Sequence, residues 1–160
     1  MGAQIEIQNM RQESGEPVAD LVARTAPGLR ATVVMGDMVP RMIDEFPILA
    51  VAATQAHGAT VVHDAAELRV KESDRIAMLT HELRLMGAQI EERADGFIVA
   101  GPTELHGARV STYNDHRLAM SLAIAGLIAR GETVITGWEC VADSFPNFGH
   151  VLMQVMSGKI

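Results

Sequence analysis

One six-residue string occurs twice, letter for letter: Met1-Gly-Ala-Gln-Ile-Glu and Met86-Gly-Ala-Gln-Ile-Glu. A worn copy, Ser157-Gly-Lys-Ile, stands at the end of the sequence. Between these marks the residues keep one order: an apolar helix opening on Asp, a strand, a helix opening on Ser, then the Gly-Ala-Gln-Ile strand. Asp44 and Asp115 open the first helix of each copy, and Ser73 and Ser144 the second; both pairs are 71 positions apart (115 − 44 and 144 − 73). Six matching letters could be chance, but four helix starts sharing one offset point to duplication. Strands and helices alternate throughout. The class is therefore α/β, or α+β in some schemes, with helices packed on mixed sheets.

Periodicity places the elements. Gln4–Gln8, Val18–Arg24 and Ala31–Met35 read as strands around the turn-rich stretches 12–17 and 26–29. Arg41–Ala56 reads as a helix ended by Gly58, and Thr60–His63 as a short β-branched strand. Ser73–Met86 reads as an amphipathic helix with Ser73 as N-cap and Gly87 just past its end. Its apolar stripe is Ile76, Leu79, Leu83 and Met86. Gln89–Arg93 and Phe97–Ala100 flank Asp95-Gly96, a hairpin turn signal. Val110 lies in a further strand, Asp115–Arg130 is a helix closed by Gly131, Thr133–Thr136 is a strand, and Ser144–Met156 is the last helix.

Composition excludes several classes. With 20 acidic and 13 basic residues the formal charge is −7, which argues against a whole-surface electrostatic hold on nucleic acid. The longest apolar run, Leu118–Ala129, is interrupted by Ser121 and falls short of the roughly 20 residues a membrane helix needs. The N-terminus shows no basic-then-apolar leader pattern, so a cytoplasmic location is expected. A single cysteine, Cys140, rules out an internal disulfide framework and fits a reducing compartment. Six scattered histidines form no metal-ligand spacing, and neither GxxxxGK[ST] nor GxGxxG occurs. The methionines at helical spacing read as core filling.

Three stretches at helix starts break local rules: Arg69-Val-Lys71-Glu72-Ser73-Asp74-Arg75, Asp115-His116-Arg117, and the acidic Met42-Ile-Asp44-Glu45. Acids there suit the helix dipole and read as caps and first-turn acids. Cations run against it, so Lys71, Arg75 and Arg117 need another reason. A bound phosphate or carboxylate supplies one, because helix N-termini already offer free N–H donors. The plainer alternative is a solvated charge run with local pairs such as Lys71–Glu72 or Asp74–Arg75. His116, between Asp115 and Arg117, could donate to a phosphate oxygen or shuttle a proton.

Three strings carry a resemblance: Ile43-Asp44-Glu45-Phe46-Pro47-Ile48-Leu49-Ala50, Ala66-Glu67-Leu68-Arg69-Val70-Lys71-Glu72-Ser73-Asp74-Arg75, and Asn114-Asp115-His116-Arg117-Leu118-Ala119-Met120. In residues, order and spacing they resemble the 5-enolpyruvylshikimate-3-phosphate synthase (3-phosphoshikimate 1-carboxyvinyltransferase) family, from about Ala31 onward. The resemblance implies transfer of the enolpyruvyl group of phosphoenolpyruvate to a hydroxyl of shikimate 3-phosphate, in aromatic amino acid biosynthesis, with no metal or organic cofactor. By motif position, Asp44 would be the base and Glu72 the proton donor. Lys71 would touch shikimate 3-phosphate, Arg75 and Arg117 would clamp the phosphoenolpyruvate carboxylate, and His116 would sit near its phosphate. Arg69 would be a scaffold residue.

The resemblance also implies a fold: an inside-out α/β barrel domain of repeated βαβαββ units. Family chains are more than twice as long and place the active site between two such domains. Residues 1–35 would be strands ending a preceding unit, and 36–100 and 101–160 two helix-pair units. The chain reads as a C-terminal portion carrying half a site, inactive alone, whose partners are the two substrates and the N-terminal portion. Self-association is expected. At Ala142-Asp143-Ser144-Phe145-Pro146 an acid stands where many members have a phosphate-binding Lys. Two other readings are a non-catalytic anion-binding module on this fold and an enolpyruvyl transferase for another acceptor such as a UDP-sugar.

Overall fold

The computed structural model describes residues 1–26 and 28–158. The worn third copy of the repeat therefore lies partly outside the described residues. The chain opens with a long antiparallel hairpin, β1 (Gln4–Glu13) and β2 (Glu16–Arg24), turning at Ser14-Gly15. Two short strands follow, β3 (Leu29–Arg30) and β4 (Val33–Val34), where the sequence suggests one strand over Ala31–Met35. Both pair in parallel with β5 (Ala56–Val62). Between β4 and β5 run a one-turn helix α1 (Val39–Met42) and helix α2 (Phe46–Thr54).

The helix expected over Arg41–Ala56 is thus broken, and the reason is Pro47. With no N–H and a ring crowding the carbonyl four residues back, proline belongs in a first helical turn. The chain makes a tight turn, with Glu45 N–H bonded to Met42 O at 2.8 Å, and restarts as α2. Asp44 and Glu45 are left in that turn. Gly58 ends no helix; it lies inside β5, which begins four residues before the expected Thr60.

Helix α3 (Arg75–Leu85) leads into the antiparallel pair β6 (Gln89–Arg93) and β7 (Gly96–Gly101), and β7 pairs with β5. The expected stripe Ile76, Leu79, Leu83 and Met86 is buried, at 1% exposure or less. Each such side chain contributes roughly 1.5–3 kcal/mol when withdrawn from water. Gly87, at φ +88°, supplies the left-handed residue that ends α3. Gly96 faces the Val62 carbonyl so closely that any Cβ would collide with it.

The order then recurs: β8 (Arg109–Ser111), α4 (His116–Ile128), the parallel partner β9 (Val134–Thr136), and α5 (Phe148–Met156). Helix α5 starts four residues later than Ser144. The Ser144 and Phe145 N–H groups both return to Val141 O, closing a 3-10 turn over Trp138–Asp143. Helix α4 ends at Ile128, before Gly131.

The main core lies where α2, α3 and α4 meet one another and the β5–β7–β6 sheet. Phe46, Ala50, Leu79, Leu83, Phe97, Leu118 and Leu122 are its centre. Helix α2 is buried on most of its circumference, so it sits inside the structure rather than on it. The starts of α2, α3 and α4 are thereby brought side by side. Among the described residues, no helix is long and apolar enough to cross a membrane.

Candidate active site

Arg75 is the first residue of α3 and is only 1% exposed. An unpaired guanidinium could not be held there, and three carboxylates surround it. Its Nε donates to Asp115 Oδ2 at 2.8 Å, Nη1 to Asp44 Oδ1 at 3.0 Å and Nη2 to Glu72 Oε2 at 2.5 Å. The three acids come from three places: the turn before α2, the loop before α3 and the start of α4. One side chain therefore ties three helix starts together.

Asp115 is fully buried and works in two directions. Oδ1 accepts from the backbone N–H groups of Arg117 and Leu118, capping α4, while Oδ2 accepts from Arg75 and from Ser73 Oγ. Burial pushes its carboxyl up, but the Arg75 hydrogen bond and charge, the Leu118 N–H and Ser73 outweigh it. The pKa lies below the ordinary aspartate value. Ser73 is consequently not the cap of α3. Asp74 takes that place, accepting from Ala77 N–H at 3.0 Å.

Arg117, on the second position of α4, is less enclosed. Nη1 donates to Glu45 Oε1 at 3.0 Å and to the Asp44 carbonyl at 3.1 Å, and Nη2 approaches Asp44 Oδ2 at 3.3 Å. Asp44 thus bridges both arginines. Burial raises its pKa, but Arg75, Arg117 and Lys71 hold it below the usual carboxylate range. Asp44, Glu45 and Arg117 line a cleft of about 170 Å³ together with Ile48, Met120, Ser121, Ile124 and Phe148.

The six residues singled out in the sequence fall into two groups. Asp44, Glu72, Arg75 and Arg117 form one hydrogen-bonded ionic cluster. Lys71 leans outward onto Glu67, 2.6 Å away, yet remains close enough to act on Asp44. His116 is the first residue of α4, half-buried, and makes no side-chain hydrogen bond among the described residues. Arg69 fastens Asp74, Glu92 and the Arg93 and Ala94 carbonyls, a scaffold contact as expected.

Two readings change. The local pairs Lys71–Glu72 and Asp74–Arg75 do not form; the partners are Glu67 for Lys71 and the three carboxylates for Arg75. The cations that oppose the helix dipoles are compensated by the protein's own acids, without any need of a bound anion. Asp115, read as a plain cap, is also the anchor of Arg75. The signal was present in its neighbourhood, because Asp115 sits directly before the rule-breaking His116-Arg117.

A family profile described as EPSP synthase (3-phosphoshikimate 1-carboxyvinyltransferase) matches residues 1–152. The 3-phosphoshikimate 1-carboxyvinyltransferase of Thermodesulfovibrio yellowstonii is 53% identical over 152 residues, covering 95% of this chain and 35% of the relative. That of Gloeobacter violaceus is 53% identical over 155 residues, covering 97% of this chain and 36% of the relative. The chain spans about a third of the length of the curated relatives it matches. Among solved structures, an EPSP synthase from Acinetobacter baumannii superposes with a TM-score of 0.92 at 40% identity, over 96% of this chain and 36% of the other. The enolpyruvyl transferase NikO from Streptomyces tendae shares the fold, with a TM-score of 0.66 at 19% identity over 94% of this chain and 32% of the other. The ionic cluster sits on the α/β enolpyruvyl transferase fold, and the chain belongs to the EPSP synthase family.

Proposed function

We propose that this chain contributes part of an active site that transfers the enolpyruvyl group of phosphoenolpyruvate to a hydroxyl of shikimate 3-phosphate, releasing phosphate. The observation that carries this reading is the cluster at three helix starts, on residues whose strings match the family. Asp44 takes the hydroxyl proton. Arg117 and Arg75 hold it low, so a substrate that draws Arg117 away also makes Asp44 a stronger base. Glu72 delivers a proton to the enol methylene, Lys71 and His116 contact the anionic substrates, and Arg117 holds the phosphoenolpyruvate carboxylate, while the enclosed Arg75 fixes Asp44 and Glu72 beside it.

Charge explains why the site needs more than this chain. Asp44, Glu45, Glu72 and Asp115 are four acids around two guanidinium groups. Two multiply anionic substrates together sit poorly on a net-negative cluster without further cations, so the chain alone holds phosphoenolpyruvate only weakly, and Asp143 adds no cation. Those cations belong to the N-terminal portion of the longer enzyme, with residues 36–100 and 101–160 forming two of its repeated units. In isolation the chain buries the apolar face of the β1–β2 hairpin (Ile5, Ile7, Leu21) against a second copy.

Adding an N-terminal portion from a relative is expected to restore turnover that the chain alone lacks. Turnover by the chain alone would overturn the incompleteness. Activity of the reconstituted enzyme on another acceptor, and none on shikimate 3-phosphate, would overturn the substrate. Sedimentation of the chain with and without Leu21→Glu reads the self-association.

A further inference from the structure

Directly before Asp115 the backbone does something unusual. Tyr113 and Asn114 are both left-handed, at φ +49° and +60°. Asparagine tolerates that region, but a bulky tyrosine there is an outlier that its surroundings must enforce. The enforcing group lies on α3. Glu82 is 2% exposed, and among the described residues no lysine or arginine is within ion-pair distance; His81 Nε2, itself exposed, is 4.0 Å away. A buried carboxylate without a cation is costly and calls for a specific use.

Its two oxygens grip both ends of one short stretch. Glu82 Oε1 accepts from Tyr113 Oη at 2.7 Å, and Oε2 accepts from the Ser111 N–H at 3.0 Å. The hydrogen bond to Glu82, with burial and the carboxylate charge, pushes the Tyr113 phenol up to about 12, so it remains a donor at working pH. Thr112, between them, bonds its N–H to Thr136 O and its hydroxyl to Gly137 O. The loop is pinned on both sides.

Helix α3 therefore holds the start of α4 at two points about two turns apart, through Arg75 to Asp115 and through Glu82 to Tyr113. We propose that Glu82 and Tyr113 are a positioning pair that sets where His116 and Arg117 stand relative to Asp44, Glu72 and Arg75. The first point fixes the distance between the helix starts. The second fixes the rotation of the left-handed loop, and with it the direction in which Arg117 leaves α4. Neither residue touches the ionic cluster, so both act through the backbone. This inference rests on the active-site reading for its consequence, but not for its geometry.

Tyr113→Phe keeps the ring and deletes the donor. The expected result, by NMR hydrogen exchange, is at least about tenfold faster exchange of the Asp115–Leu118 amides while Leu79 and Leu83 in α3 are unchanged. Phosphoenolpyruvate titrated into the same samples is expected to bind about tenfold more weakly than to the parent chain. Glu82→Leu with Tyr113→Phe removes the orphan carboxylate as well; it is expected to match the parent in melting temperature without recovering protection at Asp115–Leu118. Unchanged exchange at Asp115–Leu118, or loss of protection spread evenly over the chain, overturns the proposal. Recovery of both melting temperature and local protection in the double variant also overturns it, since the pair would then be structural only. If the parent chain fails to bind phosphoenolpyruvate, the active-site reading suffers, while the exchange pattern still decides the positioning role.

Discussion

Two arginines open neighbouring helices under the same apparent contradiction, a cation at the positive end of a dipole. Their surroundings differ sharply. Arg75 is 1% exposed and caged by Asp44, Glu72 and Asp115, whereas the Arg117 side chain is 31% exposed and rests on Asp44 and Glu45. Asp115, the innermost partner of Arg75, is itself fully buried, while Glu45 stands largely in water. Desolvation makes the first set of contacts obligatory, and water makes the second replaceable. A charge pattern that looks uniform in sequence separates into a structural tie and a contact that a ligand can exchange.

The largest effect should come from Arg75. Arg75→Met leaves Asp115 buried without its counter-ion, and urea unfolding is expected to show a loss of about 3–5 kcal/mol. A loss below about 1 kcal/mol would erase the distinction between the two arginines. Asp115→Asn should cost less, about 1–3 kcal/mol, because a cap and a charge-assisted bond are weakened but no charge is stranded in solvent-free space alone.

Asp115 also sets the acid response. Its folded pKa lies below the ordinary value of 3.8, so its contribution to stability is present above that value and is lost as pH falls through the folded pKa. Unfolding midpoints measured down the acid limb are expected to drop below pH 3.8, and to drop less steeply in Asp115→Asn. Equal acid slopes in both proteins would place the titrating group elsewhere.

Arg117→Gln should leave stability within about 1 kcal/mol of the parent. Its phosphoenolpyruvate affinity, by calorimetry or NMR, is expected to fall about tenfold or more. Glu45→Gln is the mildest probe and has the opposite sign. Loosening one partner of Arg117 should strengthen phosphoenolpyruvate binding by roughly two- to fivefold, from a contact of about 0.4–1 kcal/mol. Weaker binding in this variant would mean that Glu45 orients Arg117 rather than competing for it.

The hexapeptide shared by 1–6 and 86–91 shows how far sequence carries. Both copies form strands, at β1 and β6, as their identical letters require. Yet Ile5 is 60% exposed and its counterpart Ile90 only 6%, because α3 folds back over β6 and no described helix covers β1. Local preference depends on local letters, while burial depends on what the rest of the chain brings. Helix boundaries show the same limit. Periodicity found the α3 stripe in full, but it ran through Pro47 and started the last helix at Ser144, four residues before α5 begins, where single backbone hydrogen bonds decide.

By itself the sequence determined the repeated strand–helix order, the family strings and the acids and cations gathered at helix starts. These are short-range properties, carried by periodicity, caps and charge along the chain. The tertiary structure alone decided which acids neutralise which arginine, that Asp115 joins α4 to Arg75, and that Glu82 reaches 31 residues along to hold Tyr113. Those partners are distant in sequence. Their choice follows from three helices packing side by side, where a charge leaving water must find its counterpart within about 3 Å.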